Sequence, residues 1–215
     1  MSPSIARAQA SPYVPLDDIA YTYVDALMAR GFFRELPTLE RPYTEGALRA
    51  AIDSARATSP SERVTTYLDA LFEAIEKYAV RPATVDTSSD LPFRVRGSGD
   101  FYATAQTSGR RELMLADDQN SVRPGATIRL VTAGGPIAGS IRPIIDTRLN
   151  VDPEFAGRKD RKLAARTEDG YVSGQWKYAE LFFGRAARNW GPPTQYGLML
   201  GNYAYTYDHL FARIG

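Results

Sequence analysis

The chain has 215 residues, contains no cysteine and only one histidine, and carries a formal net charge of +1. This composition excludes thiolate metal sites, disulfide frameworks and multi-histidine centres, and it gives no sign of a field that attracts nucleic acid. We therefore expect no cofactor, no metal ion and no nucleic-acid partner. The charge is unevenly spread, because residues 1–90 sum to −4 and residues 91–215 to +5, which indicates two regions with different surroundings.

The first residues indicate export. Small residues at Ala8 and Ala10 precede Ser11-Pro12, as at the cleavage site of a secretory signal peptide. The basic start and the apolar run that normally precede such a site are missing. We interpret residues 1–12 as the remnant of a signal peptide or as a tail.

Residues 13–80 have the periodicity of amphipathic helices and predict a small helical bundle. The first helix ends before Gly31, which is a typical C-cap. Thr44 is placed to cap a second helix. The spacing of Ser59 and Glu62 predicts that a capping box starts the third.

Residues 81–92 are rich in Pro, Ser and Thr and predict a linker, after which the hydrophobic period changes from 3.6 to 2. Apolar and polar side chains alternate almost strictly in residues 93–106, a segment longer than most soluble strands. Further strands are expected in residues 111–117, 126–133, 141–150, 171–183 and 202–208. The predicted connections are short, apart from a polar loop at residues 152–169.

Two architectures fit such strands. In a soluble sandwich the apolar face forms the core, whereas in a membrane barrel it contacts lipid and the polar face lines the interior. Strand length, glycine and alanine mixed with aromatics on the apolar face, and the tyrosines at 203–207 favour the barrel. In the strand at 171–183 the predicted apolar face carries Val172, Trp176, Tyr178 and Phe182.

The predicted fold class is therefore α+β, with an N-terminal helical bundle followed by antiparallel strands of an outer-membrane β-barrel in residues 93–215. About six strands are visible in the sequence. Six strands would leave two open edges within lipid, where unpaired backbone groups are costly. We therefore expect an incomplete barrel.

Cations on the polar faces suggest a binding role. Inside a barrel they would offer charge-assisted hydrogen bonds to an acidic sugar polymer, or they would pair with carboxylates and stabilise the barrel. Trp190 would stack on a sugar ring or wedge a turn. The candidate binding residues are Arg94, Arg96, Arg129, Arg142, Arg148, Gln175, Lys177, Arg185, Arg188 and Trp190.

Catalysis is not expected. Glu168 and Asp169 are adjacent in sequence, so on a strand they would face opposite sides and form a poor glycosidase pair. His209 has no nucleophile-elbow motif to serve.

The segment 181–192 contains Gly184-Arg185, Arg188 and Trp190-Gly191-Pro192. It resembles the strand and turn of the Wzi capsule-assembly family of outer-membrane proteins, and residues 14–16 and 41–44 resemble that family's helical region. Family members are much longer and have many more strands.

The resemblance implies a non-catalytic, lectin-like protein of the cell outer membrane that takes part in assembling or attaching capsular polysaccharide. The implied partners are an acidic surface polysaccharide and outer-membrane lipid, and the implied barrel is monomeric. A soluble periplasmic carbohydrate-binding module and a general porin are the alternatives.

Overall fold

A computed structural model describes residues 10–58, 60–80, 93–105, 122–147, 149, 155–190 and 206–214. The described residues form three helices and eight strands. In chain order these are α1 (Ala20–Met28), β1 (Glu40–Arg41), α2 (Glu45–Ala57), α3 (Glu62–Glu76), β2 (Arg94–Ala105), β3 (Val122–Gly134), β4 (Ile137–Asp146), β5 (Ala164–Gln175), β6 (Ala179–Ala186), β7 (Asn189–Trp190) and β8 (Tyr207–Ile214).

The helical region, residues 10–80, has an apolar core formed by the predicted stripes, with α3 packed against both α1 and α2. Side chains with no exposed surface include Val24, Leu27, Leu48, Ile52, Leu68, Leu71 and Ile75. The predicted cap of α2 is confirmed, because the Thr44 side chain accepts a hydrogen bond from the Ala47 N–H at 3.2 Å. Gly31 follows α1 at a φ of +86°, which favours glycine. Within the described residues no helix is long and apolar enough to cross a membrane.

The predicted start of α3 is wrong. The helix begins at Glu62, and its N-cap is Ser61, whose side chain makes no capping hydrogen bond. The extended backbone of Ser61, with ψ 156°, makes Glu62 the first helical residue, so Glu62 does not stand at the third position that a capping box needs. Ser59, the predicted cap, lies outside the described residues.

The strands form a six-stranded antiparallel sheet in the order β2-β3-β4-β5-β6-β8, and β1 and β7 form a separate two-stranded ribbon. This arrangement confirms the α+β class. Within the described residues β2 and β8 are the open edges of the sheet. The predicted loop at 152–169 is wrong in its last part, since β5 starts at Ala164. Residues 166–169 are all polar, so the alternation of period 2 is not visible in their sequence. Their backbone nevertheless pairs with β4, with a register shift beside Pro143.

The sheet has two chemically different faces, defined by which residues stand opposite each other in neighbouring strands. One face, called the outer face, is apolar and exposed. Its members include Val95, Phe101, Ile128, Leu130, Ile137, Ile141, Val172, Leu181, Phe183, Leu210 and Ile214. The opposite face, called the inner face, lies against the helical region. Its buried polar members are Arg129, Arg142, Asp146, Asp169, Ser173 and Glu180.

The single strand predicted at residues 171–183 is wrong, because β5 ends at Gln175 and β6 begins at Ala179. Phe182 therefore lies on the inner face, not with Val172 as the alternation predicts. It has no exposed surface, whereas Val172 is 58% exposed. The turn between β5 and β6 has three residues and is closed by a hydrogen bond from the Trp176 N–H to the Ala179 carbonyl oxygen at 2.8 Å. Gln175 pairs with Glu180, so four residues lie between the two partners, and an even number reverses which sequence parity faces outward.

The two ends of the sheet also differ. At one end, called the turn end, short connections at residues 135–136 and 176–178 join β3 to β4 and β5 to β6. At the other end, called the loop end, the connections are the longer segments 106–121, 147–163 and 187–206. The predicted turn near Gly135 is confirmed, and the strand predicted at 111–117 lies outside the described residues.

Candidate functional site: the buried polar face of the sheet

The start of the helical region runs along the inner face of the sheet at its turn end. The Ala10 N–H donates to the Gly135 carbonyl oxygen at 2.9 Å. The Gln175 side-chain amide pairs with the Ser11 backbone, accepting from its N–H at 3.0 Å and donating to its carbonyl oxygen at 2.9 Å. The Tyr13 N–H donates to the Tyr171 hydroxyl at 2.7 Å. Gln175, a predicted ligand-binding residue, therefore holds a segment of the chain itself.

Arg188 lies within a cluster of aromatic rings between the helical region and the sheet. Its guanidinium carbon is 5.0 Å from the centroid of Tyr13, 4.4 Å from Phe182 and 4.2 Å from Phe211. Only 3% of Arg188 is exposed, so these cation–π contacts are made away from water. The structure places this predicted binding residue in the interior of the protein.

His209 completes this cluster as a neutral imidazole. Its Nε2 accepts a hydrogen bond from Arg188 Nε at 3.0 Å, and its Nδ1 lies 3.1 Å from the Tyr207 carbonyl oxygen. An imidazole with one acceptor and one donor nitrogen satisfies both contacts, so the hydrogen is assigned to Nδ1. The ring stacks on Phe182 with centroids 4.6 Å apart. His209 thus packs against Phe182 and orients Arg188.

Arg142 forms two ion pairs, one with the helical region and one within the sheet. Its Nη1 is 2.7 Å from the Asp17 carboxylate and its Nε is 2.7 Å from the Asp169 carboxylate. Arg142 and Asp169 are both buried, whereas the Asp17 side chain is 62% exposed. A buried charge is tolerated when it is paired, so Arg142 and Asp169 each depend on the other.

Arg129 contacts the end of the helical region. Its guanidinium carbon lies 4.8 Å from the ring centroid of Tyr78, whose hydroxyl donates to Asp18 at 2.5 Å. Burial raises the pKa of Tyr78 above its ordinary value, although the nearby Arg129 lowers it. The hydroxyl therefore stays protonated and remains a donor.

Two further cations hold the edges of this contact. Arg96 donates from Nη1 to the carbonyl oxygens of Glu76 and Ala79, at 2.7 and 3.3 Å, at the C-terminal end of α3. Arg213 donates to Glu180 at 2.5 Å and to Glu40 at 3.2 Å. Beside Glu40, strand β1 pairs with β7.

The other candidate binding residues that the structure describes are not buried on the inner face. Arg94 is on the inner face and exposed, and Lys177 is exposed in the turn before β6, with its Nζ 4.8 Å from the centroid of Tyr178. Arg185 lies on the outer face, where it forms a two-bond ion pair with Asp208 at 3.0 and 2.7 Å. Trp190 packs near Phe211, with ring centroids 5.9 Å apart. Arg148 lies outside the described residues.

Several residues of this interface are not distinguished by the sequence. Tyr171, Asp17 and Arg213 carry no motif that marks them. The sequence marks Asp169 and Glu180 only as carboxylates near the Trp-Gly-Pro segment. These residues could be noticed in the sequence only by their polar positions in strands of alternating pattern. The sequence does not show that the helical region covers those positions. The described residues contain no group of three or more side chains that could hold a metal ion.

No protein-family model, curated protein or solved structure matches the chain. The resemblance to the Wzi family therefore remains a prediction from the sequence. Function is accordingly inferred from the chemistry of the two sheet faces.

Proposed function

We propose that the chain is part of an outer-membrane β-barrel protein whose polar interior is filled by its own helical region, and that it binds acidic surface polysaccharide without catalysis. One observation carries the membrane part of this proposal. The sheet buries its charged face against the helical region and exposes its apolar face, the reverse of a soluble protein.

The exposed apolar side chains of the outer face form a continuous patch and are not single residues scattered over a surface. Phe101 is 91% exposed, Phe183 72% and Leu210 70%, and apolar side chains continue on every strand between them. Contiguous apolar patches of this kind mark contact with a membrane or a partner. Contact with hydrocarbon would remove the free-energy cost of exposing these apolar side chains to water, because hydrocarbon accepts apolar side chains on every strand of the face.

The ends of the sheet support the same interpretation. Outer-membrane barrels have short turns at the periplasmic end and longer loops at the other end, as the turn end and loop end have here. Trp176 and Tyr178 lie at the turn end, half exposed or more, and suit a membrane interface. The Arg185–Asp208 ion pair lies toward the loop end, roughly 20 Å from Ala179 along β6, and would mark the other limit of the apolar band.

The alternatives fit less well. In a soluble module with the strands layered over the helices, the apolar face would meet the helices, but the polar face does so. A general porin needs an open, water-filled interior, whereas Tyr13, Asp17 and Tyr78 of the helical region occupy the inner face.

The polysaccharide part of the proposal is supported by the resemblance to the Wzi family and by the excess of positive charge after residue 90. Arg96, Arg129, Arg142 and Arg188 are engaged with the chain's own residues. They would stabilise the closed interior, and the polymer would contact other cations.

Cell fractionation tests the location. A cell expressing the full-length protein should retain it in the outer membrane after carbonate extraction, because the outer face is embedded in lipid. Recovery of the folded protein in the soluble periplasmic fraction would contradict the proposal.

A further inference from the structure

The segment between β4 and β5 carries the densest positive charge at the loop end of the sheet. Residues 157–162 read Gly-Arg-Lys-Asp-Arg-Lys and sum to +3. Each of these six residues is exposed. Residues 157–162, called the basic loop, include none of the candidate residues predicted from the sequence.

The basic loop has a defined base. Phe155 is buried in a small apolar cluster with Leu149 and Ala164, next to the start of β5. Its ring folds over Gly157 so closely that a Cβ on Gly157 would lie 2.3 Å from it. The cluster therefore fixes where the loop leaves the sheet, and glycine leaves room for the ring.

One ion pair shapes the charge of the loop. Arg158 binds Asp160 through two hydrogen bonds, at 3.1 and 2.8 Å, so the single carboxylate is neutralised by one of the four cations. With that pair neutral, the loop keeps its net charge of +3. An exposed run of this kind attracts polyanions by summed Coulomb interactions rather than by one deep pocket.

We infer that the basic loop is the contact site for the acidic polysaccharide, and that the arginines of the inner face are not. This inference rests on the proposed function, which puts the loop end at the cell surface. The buried arginines are already paired or stacked within the protein, so a polymer could reach them only by displacing the helical region. A repeating carboxylate polymer fits a linear series of exposed cations through charge-assisted hydrogen bonds.

Two matched double variants test this inference in the full chain, held in an uncharged detergent. Lys159→Gln with Lys162→Gln removes two cations from the basic loop, and Arg34→Gln with Arg63→Gln removes two exposed cations of the helical region. The probe is polygalacturonate, with neutral dextran as the uncharged comparison. We expect the loop variant to weaken polygalacturonate binding about tenfold and the other pair to change it less than about twofold. Binding should also weaken as salt rises.

Equal losses in the two variants, no loss in the loop variant, or equal binding of dextran would overturn the inference. So would loop-dependent binding to phosphatidylglycerol vesicles without binding to polygalacturonate, because the loop would then contact a membrane surface. A charge-preserving variant, Lys159→Arg with Lys162→Arg, should bind as the unaltered chain does. Failure of the membrane proposal is recognised separately, by a chain that leaves the outer membrane on carbonate extraction.

Discussion

The helical region and the sheet follow opposite patterns of burial. In the helical region the apolar stripes face inward, and Leu48, Leu68 and Ile75 have no exposed surface. In the sheet the buried charged residues, such as Arg129 and Asp169, face inward, and Phe183 and Leu210 face outward. The difference shows that hydropathy alone does not predict burial here, and the proposed contact of the outer face with lipid would account for it.

Charges on the inner face are paired both within the sheet and across the contact with the helical region. Arg142 has carboxylates on both sides, and Arg188 has three aromatic rings and an imidazole. The helical region thus supplies partners to the sheet, and the sheet covers the helical region. The two regions should therefore lose stability together when this contact is broken.

Adjacent residues of β6 give the largest contrast between the two faces. Phe182→Ala should lower the free energy of unfolding by about 3–5 kcal/mol, because it leaves a cavity beside Tyr171 and His209. Phe183→Ala should cost less than half as much, because detergent fills the space. Urea unfolding in detergent measures both. Equal losses would mean that the two faces are not distinct.

Replacing Arg142 should have the next largest effect. Arg142→Gln leaves the buried Asp169 carboxylate without its cation, and we expect a loss of about 2–4 kcal/mol. Arg158→Gln is the matched control, because its ion pair with Asp160 is exposed and its loss should have a much smaller effect. If Arg142→Gln is as mild as the control, Arg142 does not hold the contact.

Depth within the proposed membrane separates two similar outer-face residues of β4. Ile141 lies in the middle of the strand and Ile137 at its turn end, and both are exposed. In vesicles Ile141→Arg should cost about 2–4 kcal/mol and Ile137→Arg about 0–1, because a charge near the interface reaches water. Equal costs for the two changes would argue against a membrane band on this face.

The smallest predicted effect is at the start of the chain. Gln175→Ala removes both side-chain hydrogen bonds to the Ser11 backbone and should cost about 1–2 kcal/mol. Amide hydrogen exchange should become faster only at the start of the helical region, including Tyr13. Uniformly faster exchange across the sheet would show that Gln175 supports more than this local contact.

The sequence is sufficient to predict the helices, the alternating strands and the chemistry of their faces. Alternation of period 2 predicts which residues share a face, and the faces of β2 and β3 agree with it. It does not predict how a turn shifts the parity, so it places Phe182 on the wrong face. It also misses strand residues that are polar on both faces, as at the start of β5.

The site is harder to predict than the fold. Arg129 and Arg142 are recognisable as polar-face residues, but their partners Tyr78 and Asp17 are distant in sequence and carry no motif. Which face the helical region covers depends on complementarity between the two regions. Single-sequence patterns do not contain that information, so they predict a ligand for arginines that are paired within the chain.

Fluorescence quenching of Trp176 by brominated phospholipids tests whether the outer face contacts lipid. Trp190→Phe leaves Trp176 as the only tryptophan, and Trp176 lies at the turn end with its ring against Gly174 of the outer face. In vesicles, lipids brominated near the headgroup should quench Trp176 more strongly than lipids brominated near the chain ends. Fluorescence that is unaffected by any brominated lipid, in a folded chain, would contradict a lipid-facing outer face.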